Sequence, residues 1–243
     1  MNGIIAAVIT TLALGGTTAM PFPDTSDFRM SDERAAELDA ERVKYLTDPA
    51  VIGYNVELGS CTTYYKTNAG NANRNFNMEL AGAAINGVVL APGEEFSYND
   101  TILSKRDRNN DYKPAGVISG GKLINATGGG ICQVSSTLFN AALLSGMTIT
   151  QRQSHSMRVG YLPAGMDATA SWGSIDFRFR NDLEVPVQIN AKVADGVMTI
   201  KLFAPVDPEL GKIEVNVTRN GGQYRIHRYV NGVEDYASNS RYR

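Results

Sequence analysis

The chain has 243 residues, of which 43% are hydrophobic and 20% charged, and its formal net charge is −2 from 23 basic and 25 acidic residues. This composition is that of a globular protein with a buried core, with room for one large domain or two small ones. The balanced charge, with no run of Lys or Arg, argues against a nucleic-acid-binding protein. The 24 glycines and 9 prolines favour a loop-rich α+β chain over a helical bundle.

Residues 4–14 form an apolar segment that small residues follow up to position 19. The segment is too short to span a bilayer, which takes about 20 apolar residues. It matches the apolar core of a secretory signal with a small-x-small cleavage site, although no Lys or Arg precedes it. We therefore expect residues 1–19 to direct export, with a buried or frayed N-terminus as the alternative. The predicted location is extracytoplasmic (secreted or associated with the cell envelope), without a stable transmembrane anchor.

Residues 20–50 are predicted to form a linker followed by a helix. Two prolines near its start indicate the linker. The charged stretch 31–46 then opens with acidic residues, which suit a helix N-terminus, but its apolar stripe is thin. We expect this helix on the surface and the domain proper at residues 51–243.

The first half of the domain mixes short strands, loops and one helix. Residues 61–66 are β-prone, whereas residues 68–75 are rich in Asn and Gly and are predicted to be loop. Residues 77–86 carry apolar side chains at helical spacing and end at Gly87. The other predicted features are strands at 88–90 and 95–98 around Pro92-Gly93, an exposed charged loop at 105–113, and a hairpin turn at Gly120-Gly121.

The second half begins with a helix at about residues 133–145. We expect it to be a core helix whose first residue is Cys132. The chain after it is strand-like. The predicted features are a strand at 148–161, an alternating strand at 175–180, a hairpin of 185–193 and 197–203 around Asp195-Gly196, and turns at Asn220-Gly221 and Asn231-Gly232. These patterns predict an α+β fold in which the helix packs on a mainly antiparallel sheet.

The segment from Gly128 to Gln133 (GGGICQ) is the most unusual in the chain. Its glycines can adopt positive φ and allow close approach of another chain. Because a helix starts immediately afterwards, Cys132 is expected at a helix N-terminus, where the dipole stabilises a thiolate and free N–H groups can receive an oxyanion. The alternatives are a small buried cysteine behind a tight turn, or a disulfide with Cys61.

His155 and Asp167 follow Cys132 in the order that a cysteine nucleophile needs. His155 lies in the predicted strand after the helix, and Asp167 lies beyond a turn. In papain-like and transglutaminase-like proteins a His activates the thiol and an acid orients the imidazole. The text Gly130-Ile131-Cys132, with Gly146 ending the helix, is also similar to a transglutaminase core. Cys132, His155 and Asp167 are therefore the predicted catalytic residues, and the alternative is that His155 and Asp167 are surface residues.

Five further residues are candidates for substrate binding: Gly129, Gly130, Gln133, Ser135 and Asn99. The glycines offer backbone groups, and Gln133 and Ser135 can donate to an oxyanion or cap the helix. Asn99 follows a predicted strand and is a contact or a turn residue. Two histidines and two scattered cysteines make no metal site, so we predict neither metal nor cofactor.

The chain resembles the VanW family. The resemblance runs through Asn73-Arg74, PGEEFSYN from residue 92 and GGGICQVSSTLFNAALLSG from residue 128, and it continues with Arg152, His155-Ser156, Tyr161-x-Pro163, Gly165-x-Asp167-Ala168-Thr169, Asp176-Phe177 and Phe179-x-Asn181. It covers residues 50–205 and implies an envelope setting with a link to peptidoglycan, without implying a particular reaction.

Two functions remain open from the sequence. The first is a cysteine-dependent acyl-transfer or amide-hydrolysing enzyme that acts on peptidoglycan peptides. The second is a non-catalytic envelope module that binds peptidoglycan or another protein. A connected Cys132–His155–Asp167 chain beside a cleft favours the enzyme, whereas a disulfide-bonded or sealed Cys132 favours the module.

Overall fold

A computed structural model describes residues 53–104 and 106–243, so the predicted signal segment, linker and N-terminal helix lie outside the described residues. The described part contains helices α1 (Ala72–Ile85), α2 (Tyr98–Leu103), α3 (Arg108–Asp111) and α4 (Ile131–Leu144). Its strands are β1 (Val56–Tyr64), β2 (Val89–Leu90), β3 (Glu95–Ser97), β4 (Pro114–Ser119), β5 (Lys122–Thr127), β6 (Thr148–Gln151), β7 (Arg178–Arg180), β8 (Val187–Ala194), β9 (Val197–Ala204), β10 (Ile213–Asn220), β11 (Gln223–Val230) and β12 (Val233–Arg241). None of these helices has the length and apolar character needed to cross a membrane.

All strand pairings in the described residues are antiparallel. The largest sheet has the order β1-β9-β8-β2. Two three-stranded sheets have the orders β3-β7-β6 and β10-β11-β12, and β4 and β5 form a separate two-stranded ribbon. The predicted Asp195-Gly196 turn joins β8 to β9, with Asp195 at a φ of 53°. The predicted α+β class with antiparallel sheets is confirmed.

Helix α4 is the central element of the core. It packs against β1 and β9 of the largest sheet and also contacts α1, β6 and β10. All of its residues are buried except Cys132 and Leu144, which is the pattern of a helix enclosed on every side. The prediction of a core helix is thus confirmed, and the helix begins at Ile131, one residue before Cys132.

Helix α1 begins at Ala72, within the segment that was predicted to be loop. Two of the Asn residues in this segment, Asn73 and Asn75, lie in the helix, and their amides donate to backbone carbonyls of other segments. Asn75 Nδ2 donates to the Lys66 carbonyl at 2.8 Å. Tertiary hydrogen bonds of this kind outweigh the low helix propensity of Asn.

The predicted strand over residues 148–161 is wrong beyond Gln151, where β6 ends. The following loop is held by side chains instead of a strand ladder: Arg152 Nε donates to the Asp167 carbonyl at 2.8 Å and Nη2 donates to the Gly165 carbonyl at 3.0 Å. His155 therefore lies in this loop rather than on a strand.

Two shorter segments also differ from the prediction. The alternating segment 175–180 forms a strand only at Arg178–Arg180. The charged segment 105–113 includes α3 and a buried tyrosine, Tyr112, whose hydroxyl donates to the Ile102 carbonyl at 3.0 Å. This tyrosine anchors a segment that its charges alone would leave exposed.

Candidate active site

The glycine turn before α4 allows two side chains to lie directly against its backbone. A Cβ on Gly128 would lie 2.2 Å from the Trp172 ring, and one on Gly130 would lie 2.9 Å from Arg74 Cγ. Both glycines have positive φ, 85° and 108°. A larger residue would clash and strain the backbone at either position, so glycine is required.

Helix α1 holds this turn in place through Asn77. Its Nδ2 donates to the carbonyls of Gly129 at 2.9 Å and Lys113 at 2.8 Å, while its Oδ1 accepts from the Lys113 N–H. Gly129 itself lies so close to β4 that a Cβ would come within 2.5 Å of the Ala115 carbonyl carbon. The turn is thus fixed between α1 and the β4–β5 ribbon.

Cys132 is the second residue of α4. The backbone N–H groups of this first turn point out of the N-terminal end of the helix. Those of Ile131 and Gln133 donate to the carbonyls of Gly128 and Gly130, at 3.3 and 2.9 Å. The N–H of Cys132 has no acceptor among the described residues. The thiol is half-buried and donates to the Ala170 carbonyl at 3.2 Å.

Both cysteines are free thiols, so the alternative of a Cys61–Cys132 disulfide is wrong. Cys61 lies on β1 opposite Ile200 of β9, where burial raises the pKa of its thiol to about 11. At neutral pH it is a protonated thiol packed against the core.

His155 and Asp167 form a close, buried pair. His155 Nδ1 lies 2.7 Å from Asp167 Oδ2, which also accepts from the His155 backbone N–H at 2.6 Å. The two residues are 5% and 1% exposed. Because a carboxylate only accepts hydrogen bonds, the proton lies on Nδ1 and leaves Nε2 to interact with other groups.

The imidazole of His155 lines the same cleft as the Cys132 thiol. Burial lowers the pKa of His155, but hydrogen bonds with Asp167 and Cys132 outweigh burial and raise the pKa to about 9. At neutral pH His155 is therefore an imidazolium, paired with Asp167 and lining the same cleft as Cys132.

The second oxygen of Asp167 is held from two directions. The Tyr242 hydroxyl donates to Oδ1, and Arg152 Nη2 lies 3.7 Å from the same atom. Burial raises the pKa of Asp167, but the hydrogen bonds from His155 and Tyr242 outweigh it and lower the pKa below its ordinary value. The acid stays ionised and fixes the orientation of the imidazole.

Cys132 and His155 open into a cleft of about 680 Å³. One wall is the β4–β5 ribbon, which presents the exposed apolar side chains of Leu123 and Ile124. The polar side chains of the opposite walls include Gln153, Ser154, Thr169 and three arginines, Arg74, Arg108 and Arg158. No Asp or Glu of the described residues lines the cleft.

Gly130 and Gln133 line this cleft, but the Gln133 amide is fully engaged within the protein. Its Nε2 donates to Thr63 Oγ1 at 3.0 Å and to the Tyr64 carbonyl at 3.1 Å. Its Oε1 accepts from Arg74 at 2.7 Å. Gln133 thus supports the site and has no N–H left for an oxyanion.

The structure does not bring the other substrate-binding candidates to the cleft. Gly129 is enclosed between α1 and β4, and Ser135 is buried with its hydroxyl bonded to the Ala168 carbonyl at 2.7 Å. Asn99 lines a separate cleft of about 540 Å³, and its Nδ2 donates to the Ile175 carbonyl at 2.8 Å. No group of three or more metal-ligating side chains occurs in the part of the chain that the structure describes.

Sequence reasoning missed four residues that build the site: Arg74, Arg152, Tyr161 and Tyr242. The Tyr161 hydroxyl donates to the Cys132 carbonyl at 3.2 Å. Arg74, Arg152 and Tyr161 lie within the motifs that carry the family resemblance. The resemblance singles them out but indicates no role for any of them. Tyr242 lies near the C-terminus, and nothing in its local sequence connects it with Asp167.

Comparison with known proteins decides the family. The model of the family described as "VanW like protein" matches residues 73–203, which include Cys132, His155 and Asp167. The chain belongs to the VanW family. No solved structure matches it.

Two curated relatives give the family its context. Protein YoaR of Bacillus subtilis, named as uncharacterised, is 47% identical over 148 residues, which are 61% of this chain and 48% of YoaR. The Vancomycin B-type resistance protein VanW of Enterococcus faecalis is 34% identical over 171 residues, 68% of this chain and 60% of that protein. The chain thus spans about half to three fifths of the length of these relatives.

Proposed function

We propose that this VanW-family protein is a cysteine-dependent enzyme that transfers or hydrolyses acyl groups of peptidoglycan peptides outside the cytoplasm. The observation that carries the proposal is the buried His155–Asp167 pair, 2.7 Å apart, with His155 lining the same open cleft as Cys132. A nucleophile, a base and an orienting acid in this order are the requirements for covalent catalysis by a thiol.

In the first half-reaction the Cys132 thiol, which donates to the Ala170 carbonyl in this structure, first releases its proton to solvent. The thiolate then attacks the carbonyl carbon of an amide and forms a C–S bond, while the π electrons move onto the oxygen. The His155 imidazolium gives its Nε2 proton to the amide nitrogen. The C–N bond breaks with its electron pair remaining on nitrogen, and an amine leaves. A thioester on Cys132 and a neutral imidazole remain.

In the second half-reaction water or the amine of another peptide attacks the thioester carbonyl. His155 Nε2 accepts the proton of the attacking group, and the C–S bond breaks with its electrons returning to sulfur. Attack by water hydrolyses the substrate, whereas attack by an amine makes a new amide. Both outcomes restore the thiolate and the imidazolium.

The negative charge on the substrate oxygen needs a donor, and we assign this role to the backbone N–H of Cys132. It has no acceptor among the described residues and lies in the first turn of α4, at the positive end of the helix dipole. Fixed donors aimed at a developing oxyanion are among the largest contributions to acyl-transfer catalysis.

The choice of substrate rests on the relatives. The name of the Enterococcus faecalis protein concerns resistance to vancomycin, which supports an envelope setting and peptidoglycan peptides as the substrate class. The cleft suits a peptide because it combines an apolar ribbon, with Leu123 and Ile124, and polar walls.

The test is incubation of the purified protein with peptidoglycan fragments, followed by mass spectrometry. We expect cleaved or newly joined peptides with the wild type and with Cys61→Ala, the matched control that removes the other cysteine. Cys132→Ala should give none. Unchanged fragments with the wild type would contradict the proposal and favour a binding module, and product that persists with Cys132→Ala would exclude Cys132 as the nucleophile.

A further inference from the structure

The cleft beside Cys132 carries positive charge without an acid to balance it. Of its three arginines, Arg108 lies over the Trp172 ring at 5.1 Å and Arg158 over the Tyr224 ring at 4.9 Å, and both are exposed. Water can solvate these two guanidinium groups. The third, Arg74, is half-buried.

Arg74 contacts only neutral groups among the described residues. Its Nη2 donates to Gln133 Oε1 at 2.7 Å and its Nη1 to Met78 Sδ at 3.1 Å. Burial lowers the pKa of Arg74, which reflects the cost of keeping this charge out of water. A desolvated guanidinium without an anion is unfavourable, and a carboxylate in the cleft would compensate it.

The position of Arg74 relative to the nucleophile makes it suitable for substrate recognition. Its side chain crosses the turn before α4, because a Cβ on Gly130 would lie 2.9 Å from Arg74 Cγ. Arg74 and Cys132 also line the same cleft. A group bound to the guanidinium would therefore lie near the reacting thiol.

We propose that Arg74 is a specificity-determining residue that binds a carboxylate of the substrate, so that the amides reacting at Cys132 belong to acidic peptides. A planar guanidinium binds a carboxylate through two parallel hydrogen bonds, which fixes orientation as well as affinity. This inference rests on the proposed function, because it requires Cys132 to be the reacting group.

Two alkylating reagents test the inference, since iodoacetate carries a carboxylate and iodoacetamide is its neutral counterpart. Their rates with Cys132 are measured at pH 7 and constant ionic strength by peptide mass spectrometry, with glutathione as the free-thiol reference. We expect the rate ratio of iodoacetate to iodoacetamide to be higher for Cys132 than for glutathione. Arg74→Gln should lower that ratio about tenfold, the effect of losing one charge-assisted hydrogen bond.

Two further variants separate recognition from a purely structural effect. Arg74→Lys keeps the charge and should retain part of the preference for iodoacetate. Arg180→Gln changes the net charge by the same amount as Arg74→Gln. Arg180, the last residue of β7, pairs with Asp182 and does not line the cleft, so this variant should leave the rate ratio unchanged.

If Arg74→Gln leaves the ratio unchanged, whether or not both rates fall by the same factor, the inference is overturned while the nucleophile stays in place. If Cys132 reacts with neither reagent in the wild type, the proposed function fails and this inference fails with it.

Discussion

The two histidines of the chain occupy different environments, so each imidazole can be followed separately by NMR. His155 should titrate near pH 9, because hydrogen bonds with Asp167 and Cys132 outweigh the effect of burial. Asp167→Asn and Cys132→Ala should each lower this midpoint, since each removes a group that favours the imidazolium. The measurement is a pH series of ¹H–¹³C spectra.

His227 is the internal reference for that titration. It lies on β11, contacts Thr218 and Glu234 and does not line the cleft. Neither variant should move the His227 signal. A His155 midpoint at the ordinary value of 6.5 would show that the imidazole is not paired.

The burial of α4 gives the first prediction at the scale of an element. Leu138 is 0% exposed at the centre of this helix, so Leu138→Ala should lower the free energy of unfolding by about 2–5 kcal/mol. Leu123→Ala is the matched control, because Leu123 is 72% exposed and should change the free energy by less than about 0.5 kcal/mol. Urea unfolding measures both, and equal effects would contradict the packing of α4.

The glycine turn before α4 gives the second prediction at the scale of an element. Gly128 and Gly87 have nearly equal φ, 85° and 82°, but a Cβ on Gly128 meets Trp172, whereas one on Gly87 meets nothing within 4 Å. Both alanine variants carry the strain of positive φ. Gly128→Ala should lower the free energy of unfolding by an additional amount of about 1–3 kcal/mol, the usual cost of overpacking. Equal destabilisation in urea would mean that the ring can move away freely.

The elements that could be predicted are those in which local pattern and tertiary packing agree. Helix α4 has apolar residues on successive turns and a glycine at each end, and the β8–β9 hairpin has alternating residues around Asp195-Gly196. The start of α1 and the loop with His155 could not be predicted in this way. Both depend on side chains, such as Asn75 and Arg152, that bind backbone groups distant in sequence.

Part of the candidate site could likewise be predicted from the sequence, and part could not. The order of Cys132, His155 and Asp167 could be inferred from known catalytic arrangements, and the structure pairs His155 with Asp167 and places Cys132 and His155 in one cleft. Asn99 and Ser135 were chosen because of residue type and sequence proximity. Their hydrogen bonds to Ile175 and Ala168 could not be inferred, because these partners lie 76 and 33 residues away.

At the scale of the whole molecule, the C-terminal sheet contributes to a site that lies within the family match. Tyr242, which follows β12, donates to Asp167 Oδ1 and accepts from the Gly165 N–H at 2.6 Å. Arg152 links the same loop to β12 through the Asn239 carbonyl at 3.2 Å. Residues beyond position 203, where the family match ends, therefore hold the acid in place.

Tyr242→Phe tests this long-range support. The loss of both hydrogen bonds should lower the His155 midpoint, though by less than Asp167→Asn, and should lower the free energy of unfolding by about 1–3 kcal/mol. Tyr229→Phe is the control, because Tyr229 stacks on His227 in β11 and does not line the cleft. Indistinguishable titrations for the two variants would remove Tyr242 from the site.

The pairing of Cys132 with His155 is the central claim, and the alkylation rate of Cys132 tests it most directly because it needs no substrate. The rate with iodoacetamide is measured at pH 7 in the wild type, His155→Ala and His227→Ala, with circular dichroism to check the fold. Since His155 is protonated below about pH 9, its loss removes the cation that stabilises the thiolate. We predict slower alkylation in His155→Ala and an unchanged rate in His227→Ala, whereas equal rates in the two histidine variants would contradict the pairing.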